Sequence, residues 1–302
     1  MDHKSFEAAG SLRRVPPPFE LPADLRLVET SDGVRIALHD LGGAGPTLLI
    51  AHATGFHGRT YAPFAASLAQ RFHSEAIDER GHGLSGLPPD LDFDWNGFAL
   101  DALAAASATT TSGPLYGFGH SAGGSALLVA ELMRPGTFAA IYCFEPVVFP
   151  SDEPLPPIPD IPLSVAARRR REVFGSRSEA FENYRSKPPL AALDAESLSA
   201  YVEHGFEDLP DGTVRLLCRR ENEAAVYAAG SALNLYSRLA EVDCRVVLGG
   251  GAETQAITPE HLELLAARLS GSKLDVFKGL GHFGPLEDHA RVAASVADLL
   301  LG

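Results

Sequence analysis

The pentapeptide Gly119-His120-Ser121-Ala122-Gly123 constrains this chain more than any other stretch. A short apolar run, Leu115-Tyr116-Gly117-Phe118, leads into it, and an alanine- and leucine-rich pattern with helical spacing follows. Strand, G-x-S-x-G and helix in that order force a sharp turn, with the central serine strained and its hydroxyl at the tip. The two glycines leave room for strand and helix to pack closely, and Gly124 extends the small-residue collar. The helix N-terminus beside the turn favours negative charge. Ser121 is therefore a candidate nucleophile.

A length of 302 residues suits one sizeable α/β domain, with or without an inserted lid, better than two independent domains. The net charge of −14 argues against nucleic acid or an anionic membrane as partner. Cys143, Cys218 and Cys244 lack metal-like spacing. Cys143 sits in an apolar strand pattern and reads as a small buried hydrophobe, a usage that suits a reducing cytoplasm. The opening segment MDHKSFEAAGSLRRV has no apolar core, so no signal peptide is expected. No apolar run approaches the ~20 residues that span a bilayer. The expectation is a cytoplasmic protein.

Residues 1 to about 24, polar and then proline-rich, read as an extended arm. Leu25 to Glu29 and Val34 to Asp40 alternate around Ser31-Asp32-Gly33, predicting a hairpin at an antiparallel edge. Apolar runs at 47–51 and 138–144 predict strands of a buried parallel sheet, with further strands at 72–77, 245–249 and 273–277. Helices are expected at 61–71, 95–109, 221–239 and 291–301. Residues 151–210 break this rhythm with many prolines, short helical patterns near 179–184 and 198–202, and the basic run Arg168 to Arg171. That run reads as a solvated helix face rather than an anion site.

The elbow, the segment Asp78-Glu79-Arg80-Gly81-His82-Gly83-Leu84-Ser85 and the loop Gly281-His282-Phe283 after the last strand together resemble the α/β-hydrolases. The resemblance covers residues 25–150 and 210–302. It implies a mostly parallel twisted sheet flanked by helices, with 1–150 and 211–302 as the core and 151–210 as an inserted helical cap. It makes His282 the general base. In the loop His52-Ala53-Thr54, it implies that Thr54 and Ala122 donate the two oxyanion N–H groups, although alanine replaces the usual glycine at 53. His52 and His57 read as loop scaffold, and the charged residues of 78–85 as loop braces. Phe56, His57, Phe149 and Phe283 are expected to line the substrate pocket.

The triad acid is the open question. After the penultimate strand, where many α/β-hydrolases carry an aspartate, the turn reads Gly251-Ala252-Glu253-Thr254-Gln255. Counting from the glycine reaches Thr254 and counting back from Pro259 reaches Gln255; neither can take an ionic hydrogen bond from His282. Glu253 is one residue away. Glu145, in CFEPVVFP before the insertion, resembles the acid of family branches that place it there, and is favoured over Glu253. Ser with His and an oxyanion hole implies acyl transfer on an ester, lactone or thioester of a small hydrophobic molecule, with no cofactor and no metal. A C–C bond hydrolase, a hydroxynitrile lyase and a slowly hydrolysing small-molecule sensor are the alternatives. The expected partner is a small ester-like molecule, with a homodimer left open.

Overall fold

The computed structural model describes residues 23–109, 113–153, 155–230 and 233–302; the expected N-terminal arm falls outside them but for residues 23 and 24. Continuous apolar runs suit strands covered on both faces. Three of them, β3 (Thr47–Ala51), β5 (Leu115–His120) and β6 (Ala140–Phe144), form the middle of an eight-stranded sheet. Its order is β1-β2-β4-β3-β5-β6-β10-β11, adding β1 (Leu25–Glu29), β2 (Arg35–Gly43), β4 (His73–Asp78), β10 (Arg245–Gly251) and β11 (Lys273–Phe277). The β1–β2 and β2–β4 pairings are antiparallel and the rest parallel. The edge hairpin is the one its alternation predicts, with Gly33 at φ 83° in the turn.

Successive strand residues point to opposite faces, and the core divides accordingly. Leu48, Ile50, Phe118 and Phe144 pack with α1 (Ala62–Leu68) and α10 (His289–Leu301) on one face. Leu49, Ala51, Ile141 and Cys143 pack with α2 (Trp95–Ala108), α3 (Ala122–Met133) and α8 (Pro259–Ala266) on the other. Phe118 is wholly buried, so truncating it to alanine costs roughly 3–5 kcal/mol. Among the described residues no helix is long and apolar enough to cross a membrane.

Between β6 and β10 lies an inserted layer: α4 (Pro162–Arg168), β7 (Val173–Phe174), α5 (Arg177–Arg185), α6 (Ala195–His204), β8 (Phe206–Asp208), β9 (Val214–Leu216) and α7 (Arg220–Ala229). Ser176 and Asp194 start α5 and α6 by accepting hydrogen bonds from Glu179 N at 3.1 Å and Ser197 N at 2.7 Å. The layer runs on past residue 210, because β9 pairs with both β7 and β8. Ser164 Oγ also donates to Ala224 O at 2.9 Å, tying α4 to α7. The helix predicted over 221–239 stops at Ala229. Gly230 follows against the Trp95 indole, where an added Cβ would come within 2.8 Å.

Candidate active site

Ser121 stands between β5 and α3 with φ 56° and ψ −116°. Holding a serine in this left-handed region costs about 1–3 kcal/mol and persists only where its surroundings enforce it. Here they do. A Cβ on Gly119 would lie 2.5 Å from Gly124 Cα, and one on Gly123 only 2.3 Å from Ala51 O. Ser121 N donates to Phe144 O at 2.9 Å, fixing the turn to the end of β6.

The residue after Phe144 is Glu145, also at positive φ (46°) and wholly buried. Its carboxylate collects three donors. His282 Nδ1 donates to Oε2 at 2.6 Å, Thr254 Oγ1 to the same oxygen at 2.8 Å, and Gly251 N to Oε1 at 2.9 Å. With Nδ1 carrying the proton toward Glu145, His282 keeps Nε2 free to accept another. Glu253, the other candidate acid, is exposed, and its N–H is spent on Leu280 O. Thr254, the position reached by counting from Gly251, instead donates to the Glu145 carboxylate. Glu287, at the end of α9 (Gly284–Glu287), accepts from Gly281 N at 2.9 Å and Phe283 N at 3.1 Å, bracing the loop on both sides of His282.

The loop after β3 is equally fixed. His52 Nδ1 donates to Ala53 O at 2.8 Å while its Nε2 accepts from Glu79 N at 2.9 Å. Gly55 N donates to His82 Nε2 at 3.1 Å. Asp78 accepts from Gly58 N at 2.7 Å and Leu84 N at 2.8 Å, and Arg80 pairs with buried Asp101 at 2.8 Å. These are the braces expected of segment 78–85. Among the described residues, neither Thr54 N–H nor Ala122 N–H donates to a protein acceptor. Both residues are nearly buried.

One chain of hydrogen bonds joins the three loops. Ala53 N donates to Tyr61 Oη at 3.2 Å, Tyr61 Oη lies 2.7 Å from His120 Nδ1, and His120 Nε2 donates to His282 O at 2.8 Å. The roles close only with His120 neutral. Burial holds its pKa well below the ordinary histidine value, with His282 nearby adding to that. Burial likewise lowers His52 to about 3 and His57 to about 4. Burial pushes the Glu79 carboxyl well up, with Asp101 adding to that, and among the described residues neither of its oxygens has a hydrogen-bond partner. His120 and Tyr61 were not foreseen as site residues; the variable second position of G-x-S-x-G was the available signal for the first.

Between core and insertion lies a cavity of about 510 Å³ that Thr54, Phe56 and Phe283 line from the core and Arg170, Tyr184 and Tyr201 from the insertion. Phe56 touches Tyr201 and Phe283, with ring centroids 5.3 and 5.4 Å apart. Two expected lining residues lie elsewhere. His57 turns back under α6, its Nε2 3.1 Å from Tyr201 O and its ring stacked on Tyr201. Phe149 is exposed: Val148 is buried and its carbonyl accepts from His261 Nε2 at 2.7 Å, so the next side chain faces out. Arg170, expected on a solvated face, instead points inward. It bonds Glu223 at 2.5 Å and the Tyr201 hydroxyl at 2.6 Å.

The model of the alpha/beta hydrolase family matches residues 48–295. A pimeloyl-[acyl-carrier protein] methyl ester esterase of Methylococcus capsulatus is 30% identical over 102 residues, 34% of this chain but only 37% of that protein's length. A 2-(acetamidomethylene)succinate hydrolase of Mesorhizobium japonicum is 23% identical over 246 residues, 80% of this chain and 83% of that one. Among solved structures, E-2-(acetamidomethylene)succinate hydrolase superposes with TM-score 0.76 at 20% identity, covering 92% of this chain and 99% of its own. An enol-lactonase from Burkholderia xenovorans gives 0.68 at 17%, covering 92% and 100%.

Proposed function

The chain belongs to the alpha/beta hydrolase family, and from that premise we propose that it is a serine hydrolase cleaving carboxylic esters, lactones or thioesters of small molecules through an acyl-enzyme. The observation that carries this reading is the carboxylate–imidazole pair of Glu145 and His282, at 2.6 Å, beside an elbow serine at positive φ. Ser121 Oγ attacks the carbonyl while His282 Nε2 takes its proton. Glu145, already accepting from Nδ1–H, stabilises the imidazolium that forms. The N–H groups of Thr54 and Ala122 take the developing oxyanion, and being fixed on the backbone they need no reorganisation. His282 returns the proton to the leaving alkoxide or thiolate, and a water activated by the same imidazole cleaves the acyl-enzyme.

Hydrolysis of a p-nitrophenyl ester series by the wild type and by Ser121→Ala, Glu145→Gln and Glu253→Gln tests this. Glu145→Gln should lower kcat on the order of 10⁴-fold, as loss of the orienting carboxylate does in a serine triad. Glu253→Gln should stay near wild type. If Glu253→Gln is instead the damaging change, the acid is misassigned while acyl transfer stands. A wild type that labels with an active-site phosphonate yet turns over no ester, lactone or thioester favours C–C cleavage or a lyase. Absence of both labelling and turnover favours a binding role.

A further inference from the structure

Of the four arginines 168–171, Arg168 pairs outward with Asp160 and Glu221, and Arg171 pairs with Glu179 at 2.6 Å while lying over the Phe174 ring. Arg170 turns into the space between insertion and core, where its side chain is the most buried of the three arginines that line it. Glu223 and the Tyr201 hydroxyl fix its guanidinium there, 5.9 Å from the centre of the Tyr184 ring. A guanidinium has five N–H donors, so these two contacts leave donors free for a planar anion. The spot borders the proposed oxyanion loop: a Cβ on Gly55, next to Thr54, would sit 3.4 Å from Arg170 Nη1, and Phe283, next to His282, lines the same cavity.

Charge at the cavity points the same way. Its lining carries Arg169, Arg170, Arg171 and Lys187 against the single carboxylate of Glu223. Among the described residues, Arg169 has no ion-pair partner, and Lys187 Nζ bonds only the neutral Asn183 Oδ1 at 2.7 Å. A chain of net charge −14 thus concentrates cations at this one cavity, an arrangement that raises the local concentration of anions.

Resting on the ester-hydrolase reading, we propose that this cavity binds substrates bearing a carboxylate a few bonds from the scissile carbonyl. In this reading Arg170 engages the carboxylate, while Arg169 and Lys187 draw it in. The substrate class is half-esters of short dicarboxylic acids and their lactone or thioester equivalents.

The test compares kcat/KM for monomethyl succinate with that for methyl butyrate, in which a methyl replaces the carboxylate. The wild type should favour the anion by about tenfold or more. Arg170→Gln should cut that ratio by about tenfold. The exposed pair Arg169→Gln/Lys187→Gln, which leaves the buried Glu223 contact intact, should lower the ratio and flatten its fall with added salt. No anion preference in the wild type, or a ratio that neither variant changes, overturns the proposal. If the wild type hydrolyses neither ester, succinate alone decides the subsite, while phosphonate labelling and the wider ester series decide the catalytic reading. Protection of the wild type against thermal unfolding that Arg170→Gln loses supports it; no protection overturns it.

Discussion

At the scale of single residues, Thr254 and Glu79 make opposite uses of burial. The Thr254 hydroxyl donates to the oxygen of Glu145 that also receives His282, so it holds the carboxylate in line. A hydrogen bond to a charged group contributes about 1.5–3 kcal/mol. Thr254→Val should accordingly lower kcat on esters by about tenfold or more with KM little changed, read from steady-state kinetics. Glu79 has no partner for either oxygen among the described residues, and its carboxyl is held well above its ordinary range. The folded protein therefore keeps a proton that the unfolded chain releases as pH rises past about 4.3, and stability falls with rising pH over that interval. Glu79→Gln should raise the melting temperature, by more at pH 8 than at pH 5. Ser121, His282 and Glu145 were legible in the sequence as candidates because each sits in a local motif at the end of a strand. The hydroxyl of Thr254 and the inward turn of Arg170 depend on partners far away in the chain, Glu145 and Glu223, and no local pattern encodes such pairs.

At the scale of elements, the β5–α3 elbow is set by close backbone approach. Gly123 lets α3 begin against β3, where an added Cβ would lie 2.3 Å from Ala51 O, and backbone cannot step aside as a flexible side chain can. Gly123→Ala should destabilise by roughly 1–3 kcal/mol or more, seen as a lower denaturant midpoint, with activity falling further as Ser121 shifts. The unbroken apolar strands and the edge hairpin were legible because periodicity is a property of the segment itself. The far end of the insertion was not. Residues 206–216 are two three-residue strands whose existence depends on pairing with each other and with β7, and their short runs resemble loop until that pairing is seen. The helix begun at Arg220 was placed correctly at its start but not at its end, which the Trp95 indole crowds at Gly230.

At the scale of the whole molecule, the loops after β3, β4, β5 and β11 meet through histidines that must remain neutral. His52 at about 3 and His57 at about 4 bind fewer protons when folded than when unfolded. Their contribution is full above about 6.5, the ordinary histidine value, and is lost as pH falls toward 4. Glu79, and Asp101 raised by burial to about 6, act in the opposite sense. Thermal melts across pH 4–7 should thus show a steeper acid decline in Glu79→Gln than in the wild type. A last consequence follows from Glu145 standing directly after β6. The candidate nucleophile and acid then share one continuous β5–α3–β6 stretch that precedes the insertion, while His282 follows it. A chain cut within the insertion would hold Ser121 and Glu145 without His282, and should be inert toward esters however well its β5–α3–β6 stretch folds.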